Sequence, residues 1–139
     1  MAIDYGSRRI GIAVSDSGIL ATPHSVLQNE GDVVAQLASL AGQLEADTIV
    51  LGLPRRRHSD GHEKTYRELA EALRQKTCKT VVLWDETLTT AEAASRLRES
   101  GRSRRDSKDI DMYAATVILQ SYIDSGAPAP SPAAARRTS

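Results

Sequence analysis

Two acidic residues stand where the surrounding pattern asks for apolar ones, and two more come directly after a buried strand. Asp4 interrupts the run from Met1 to Tyr5, which otherwise reads as a β-strand. Side chains alternate along a strand, so Ile3 and Tyr5 take one face while Ala2 and Asp4 take the other. Asp111 lies on the helical face shared by Ala114, Ala115, Ile118 and Tyr122, whereas Asp109 and Asp124 fall on the opposite side. Asp85 and Glu86 directly follow the apolar run from Val81 to Trp84. By the same alternation only one of them can join a cluster with the other two acids, and Asp4, Glu86 and Asp111 are the candidate set. Carboxylates are hard oxygen donors, and without paired thiols or imidazoles they suit Mg2+ or Mn2+. Two such ions, about 3.5–4 Å apart, can activate a water and stabilise the leaving oxygen in phosphodiester hydrolysis. Plainer roles compete. Asp4 can end its strand and cap a turn through Gly6, and Asp111 can pair with Arg or Lys, because an unpaired buried charge is costly.

The elements that must hold these acids follow from periodicity. Ile10, Ile12 and Val14 alternate with Gly11 and Ala13 beyond Gly6-Ser7, which predicts a hairpin with the first strand. A third strand over Ala21 to Leu27 can pair across a turn at Asp16-Ser17-Gly18. Val33, Val34, Leu37, Leu40, Ala41 and Leu44 repeat at helical spacing, and the β-branched run Thr48 to Leu53, closed by Pro54, reads as a buried strand. Tyr66, Leu69, Ala70 and Leu73 mark another helix, with a strand from Lys79 to Trp84 after it. Thr89-Thr90-Ala91-Glu92 has the form of a capping box for a helix through about Glu99, and a last helix runs from about Ser107 to Asp124. The order βββ-α-β-α-β-α-α implies an α/β domain: a mixed sheet, three antiparallel strands and then parallel ones, with helices on both faces. Residues 1–125 form that domain, and the Pro- and Ala-rich stretch 126–139 has little to bury and is expected to be a disordered tail.

A chain of 139 residues, 40% hydrophobic and 26% charged, can bury a core without staples. The single Cys78 cannot form an internal disulfide, and a structural role in a reducing compartment is expected. With no secretory pattern and no apolar run near the 18 or so residues of a membrane span, the protein reads as soluble and cytoplasmic. Eighteen basic and eighteen acidic residues cancel, so net charge says nothing of nucleic acid; the distribution does. Arg55, Arg56 and Arg57 are consecutive, and Arg102, Arg104, Arg105 and Lys108 crowd the approach to Asp111. Such clusters fit a phosphate backbone or a merely solvated face. Arg8 and Arg9, just past Asp4, are further candidates for phosphate contact or for surface ion pairs. His58 and His62 have i, i+4 spacing, but Ser59-Asp60-Gly61 argues against the continuous helix a zinc pair would need. Trp84 and Tyr113 are too few for a base-stacking platform.

Four segments together resemble the YqgF/RuvX family of the RNase H-like superfamily: AIDYGSRRIGIAVSD, IVLGLP followed by DG, VVLWDETLTTAEA, and DIDMYAATVILQSYID. They occur in that family's order and spacing and span nearly everything from Met1 to about Ser125. The resemblance implies a five-stranded sheet ordered 3-2-1-4-5. It also implies a hydrolase acting on phosphodiester bonds, a nuclease that processes the 5′ end of pre-16S rRNA in ribosome biogenesis. The family's strand-one, post-strand and last-helix acids match Asp4, Glu86 and Asp111, and no clear fourth acid is present. In that strand order Glu86 starts about 10 Å from Asp4, two strands away, and the missing side chain at Gly52 in the intervening strand offers room for metal or phosphate.

Three functions are therefore in play. The first is a Mg2+- or Mn2+-dependent nuclease on structured RNA, and the second a Holliday-junction-resolving endonuclease on branched DNA, which needs a homodimer rather than a monomer for symmetric cutting. The third is a non-catalytic RNA-binding ribosome-assembly factor. The Asp-x-Gly of the first strand also resembles the phosphate strand of actin-like ATPases, but those need two lobes and this length supplies one.

Overall fold

The structure, a computed structural model, describes residues 1–53, 60–85 and 107–126, with the backbone alone at 60–63 and 107–111. Strands β1 (Ala2–Tyr5), β2 (Arg9–Val14) and β3 (Thr22–Gln28) are followed by helix α1 (Val33–Gln43), β4 (Thr48–Leu53), α2 (Asp60–Thr77), β5 (Thr80–Asp85) and α3 (Ser107–Asp124). The sheet order is β3-β2-β1-β4-β5. β1 pairs antiparallel with β2 and parallel with β4, β2 pairs antiparallel with β3, and β4 runs parallel to β5. The order and the mixed pairing are those expected. The predicted helix starting at Thr89 and the tail lie outside the described residues, apart from Gly126.

The two faces of the sheet carry different cores, as alternation requires. On one face Ile3, Ile10, Ile12, Ile49 and Leu51 pack with Leu37 and Ala41 of α1 and with Tyr66, Leu69, Ala70 and Leu73 of α2. On the other, Ala2, Ala13, Ala21 and Val50 meet Ala115, Ile118 and Leu119 of α3. Small strand residues let α3 lie close: a Cβ at Gly52 would come within 2.5 Å of Ile118 Cδ1. The room left by Gly52 is thus filled by Ile118 and is not available to metal or phosphate, because a helix side chain from a distant part of the chain claims it first.

Two local readings change. α2 begins at Asp60 and passes through Gly61 and His62; an acidic residue type is favourable at a helix start, and a glycine in the first turn is a small penalty against 18 residues of amphipathic helix. His58 lies outside the described residues. Cys78 is exposed rather than structural, since α2 ends at Thr77 and Cys78 turns the chain with φ of 58°. No helix among the described residues is long and apolar enough to cross a membrane.

Candidate active site

Asp4 sits between Ile3 and Tyr5, which both pack into the core shared with α1 and α2. Its side chain therefore belongs to the α3 face, with Ala2. Its partner position on β2 is Gly11, so no side chain crowds it from that neighbour. Asp4 is half-buried and engaged in the local network. β1 pairs with β4 at Ala2 with Val50 and Ile3 with Leu51, so Asp4 is reached just as that ladder ends, at the carboxyl end of the parallel strands where open α/β sheets place ligands.

The direction of α3 brings its first turns to the same end. Gln120 accepts from Ala21 N (2.8 Å) and donates to the Ile19 carbonyl (3.0 Å), beside the start of β1. Ile118 lies over Gly52, further along β4. Position 111, seven residues before Ile118 and close to two full helical turns away, then lies toward the Asp4 end by backbone position. Gln120 is fully buried although helical spacing puts it outside the stripe of Asp111, Ala115 and Ile118; its bonds to the loop backbone account for that burial, and pattern alone does not single it out.

Across the sheet, Gly52 pairs with Trp84 and Leu53 with Asp85. Trp84 packs on the α3 side, its ring edge-to-face with Tyr122 at 5.3 Å. Asp85 therefore takes the other face. β5 is two strands from β1, which keeps the expected separation of about 10 Å at the level of the sheet. Glu86, with Arg55, Arg56, Arg57, Arg102, Arg104 and Arg105, lies outside the described residues. Lys108 and Asp111 are placed by backbone only, in the first turns of α3. Arg8 is exposed, while Arg9 is half-buried and opens β2. Among the described residues no group of three His, Cys, Asp or Glu side chains forms a metal cluster; of the three acids, Asp4 alone has its side chain there. The three residues expected to be donors are all carboxylates, a combination that fits a hard divalent cation.

The turn that follows Asp4 is tightly specified. Gly6 N donates to the Arg9 carbonyl at 3.0 Å, and a Cβ on Gly6 would lie 2.6 Å from that oxygen. Asn29 Nδ2 donates to the Gly6 carbonyl (2.7 Å) and Asn29 N to the Arg8 carbonyl (2.9 Å). Tyr66 donates its hydroxyl to the Tyr5 carbonyl at 2.9 Å, with the two rings edge-to-face at 5.8 Å. Asn29 was missed in the sequence, and Tyr66 was visible there only as one more residue on a helix face. A cavity of about 410 Å³ opens at the opposite end of the sheet, against Met1, Val14, Thr48, Leu119 and Ile123, and is not part of this site.

The sequence model of the RuvX family, described as Holliday junction resolvase, matches residues 1–125. The chain belongs to the RuvX family. A Mycobacterium bovis protein named "Putative pre-16S rRNA nuclease" is 42% identical over 132 residues, covering 89% of this chain and 77% of that protein. A Syntrophomonas wolfei protein of the same name is 39% identical, covering 91% of this chain and 94% of that one. Thermus thermophilus RuvC in complex with Holliday junction substrate superposes with a TM-score of 0.60 at 12% identity, covering 91% of this chain and 95% of that one. At that identity the likeness speaks for the fold alone, and this chain has the RNase H-like architecture of RuvC.

Proposed function

We propose that this RuvX-family chain is a divalent-metal-dependent nuclease that processes the 5′ end of precursor 16S rRNA, with Asp4, Glu86 and Asp111 as the residues that hold Mg2+ or Mn2+. The observation that carries the reading is Asp4 itself: a half-buried carboxylate at the end of β1, facing α3 and opposite Gly11. Relatives covering most of the chain bear the pre-16S rRNA nuclease name, which supports RNA over branched DNA as substrate. A bound divalent cation would lower the pKa of a water and stabilise charge on the leaving oxygen. The chain's own contribution is to hold the acids and draw the phosphate backbone past them. Arg8 and Arg9 flank Asp4, and Arg55, Arg56, Arg57, Arg102, Arg104, Arg105 and Lys108 are the remaining phosphate contacts. Processing a single strand end requires one site, so a monomer suffices, and the cytoplasm is where such a precursor is met.

The test is incubation with precursor rRNA, a four-way DNA junction and an unstructured single strand, each with Mg2+, with Mn2+ and with chelator, alongside the mass in solution. Metal-dependent shortening of the rRNA 5′ end by a monomer is expected. Preferential junction cutting by a dimer would overturn the assignment in favour of a resolvase, and tight RNA binding with no cleavage would leave an assembly factor.

A further inference from the structure

The last residues of β1 are anchored by side chains outside the acid set. Beyond Ile3, the last position paired with β4, Asp4 and Tyr5 continue against β2. A strand end of this kind frays easily. Here the Tyr66 hydroxyl, from α2, holds the Tyr5 carbonyl at 2.9 Å, and the Asn29 amide, from the residue after β3, holds the Gly6 carbonyl at 2.7 Å. Both acceptors lie within two residues of Asp4, and both anchors come from elements on which no acid of the set sits. Tyr66 is 8% exposed and its ring packs on Tyr5, so the hydroxyl is fixed by its surroundings rather than free to swing.

We infer that Tyr66 and Asn29 are positioning residues for Asp4: by fixing the two carbonyls that follow it, they keep its carboxylate in the orientation that metal binding requires. The inference rests on the reading of Asp4 as a metal ligand. Both side chains act through the backbone carbonyls they hold. Removing either anchor loosens the strand end without altering the donor set, which affects metal affinity and turnover more than substrate binding. Partners that orient a ligand typically change affinity or activity by about 10–100-fold when removed, and an indirect hold through the backbone belongs at the low end of that range.

The experiment compares wild type, Tyr66→Phe, Asn29→Ala and Asp4→Asn. Tyr66→Phe keeps the ring and deletes only the hydroxyl, and Asn29→Ala keeps the backbone bond to Arg8. Mn2+ binding is measured by calorimetry without nucleic acid, together with kcat, KM and the melting temperature. Both anchor variants are expected to stay folded, to bind Mn2+ about tenfold more weakly and to lose kcat by a similar factor, with KM within about twofold of wild type. Wild-type Mn2+ affinity in both, with binding lost in Asp4→Asn, would overturn the positioning role alone. Undiminished Mn2+ binding by Asp4→Asn would overturn the metal reading itself, and the positioning role with it.

Discussion

Ile118 fills the space that a side chain at position 52 would need: a Cβ on Gly52 would lie 2.5 Å from Ile118 Cδ1 and 3.5 Å from its Cγ1. Ile118 is 2% exposed, so its Cδ1 can move aside only against its packed neighbours. Gly52→Ala should therefore destabilise the fold by about 1–3 kcal/mol, the usual range for overpacking a close contact. Ile118→Val removes the offending Cδ1, so the double variant should be less destabilised than the two single changes add up to. Urea unfolding of the four proteins measures this coupling, and strict additivity would show that the contact is relieved elsewhere.

In a chain that starts at Met1 with a free amine, burial also marks that amino group, which donates to the Thr48 carbonyl at 3.0 Å. Desolvation lowers its pKa from 8.0 to about 6, against a raising influence from Asp47 and with a smaller lowering one from Lys79. Below about pH 6 both folded and unfolded chains carry the proton, and the folded state bears the cost of a buried ammonium. Between pH 6 and 8 the unfolded chain holds a proton that the folded chain has released, so stability climbs with pH, by at most about 2–3 kcal/mol. Denaturant midpoints across this range, for a chain with a free amine at Met1 and for the same chain acetylated there, should differ in slope. Parallel curves would contradict the assignment.

Arg8 is exposed, next to the turn that follows the proposed ligand Asp4. Arg8→Ala should leave stability unchanged and weaken RNA binding at low salt. If Arg8 neutralises one phosphate, the slope of log K against log[salt] should fall by about 0.7–0.9. An unchanged slope would place Arg8 outside the interface.

Much of this architecture was legible because its cause is local. Alternation and β-branching mark Thr48–Leu53, and helical spacing marks Ser107–Asp124. Alternation also sets Asp4 apart from Ile3 and Tyr5, and its register opposite Gly11 agrees. What escaped was decided by partners far along the chain. Gly52 reads as room for a ligand until Ile118 is packed against it, and Gln120 carries no signal until the Ala21 and Ile19 backbone is within its reach. Asn29 had no signal of its own, because its role exists only once the β1–β2 turn is folded against it. Asp60-Gly61 looked like a break, since local propensity discounts what packing of Tyr66, Leu69 and Leu73 contributes to the rest of α2.

The central claim is that Asp4 is a metal-binding acid of a nuclease, and the most direct measurement is cleavage of precursor rRNA by Asp4→Asn in Mg2+ or Mn2+. Asparagine keeps the shape and removes the charge. The account predicts a wild-type circular dichroism spectrum and melting curve with cleavage abolished. Cleavage by Asp4→Asn at the wild-type rate, or full activity of the wild type in chelator, would contradict it.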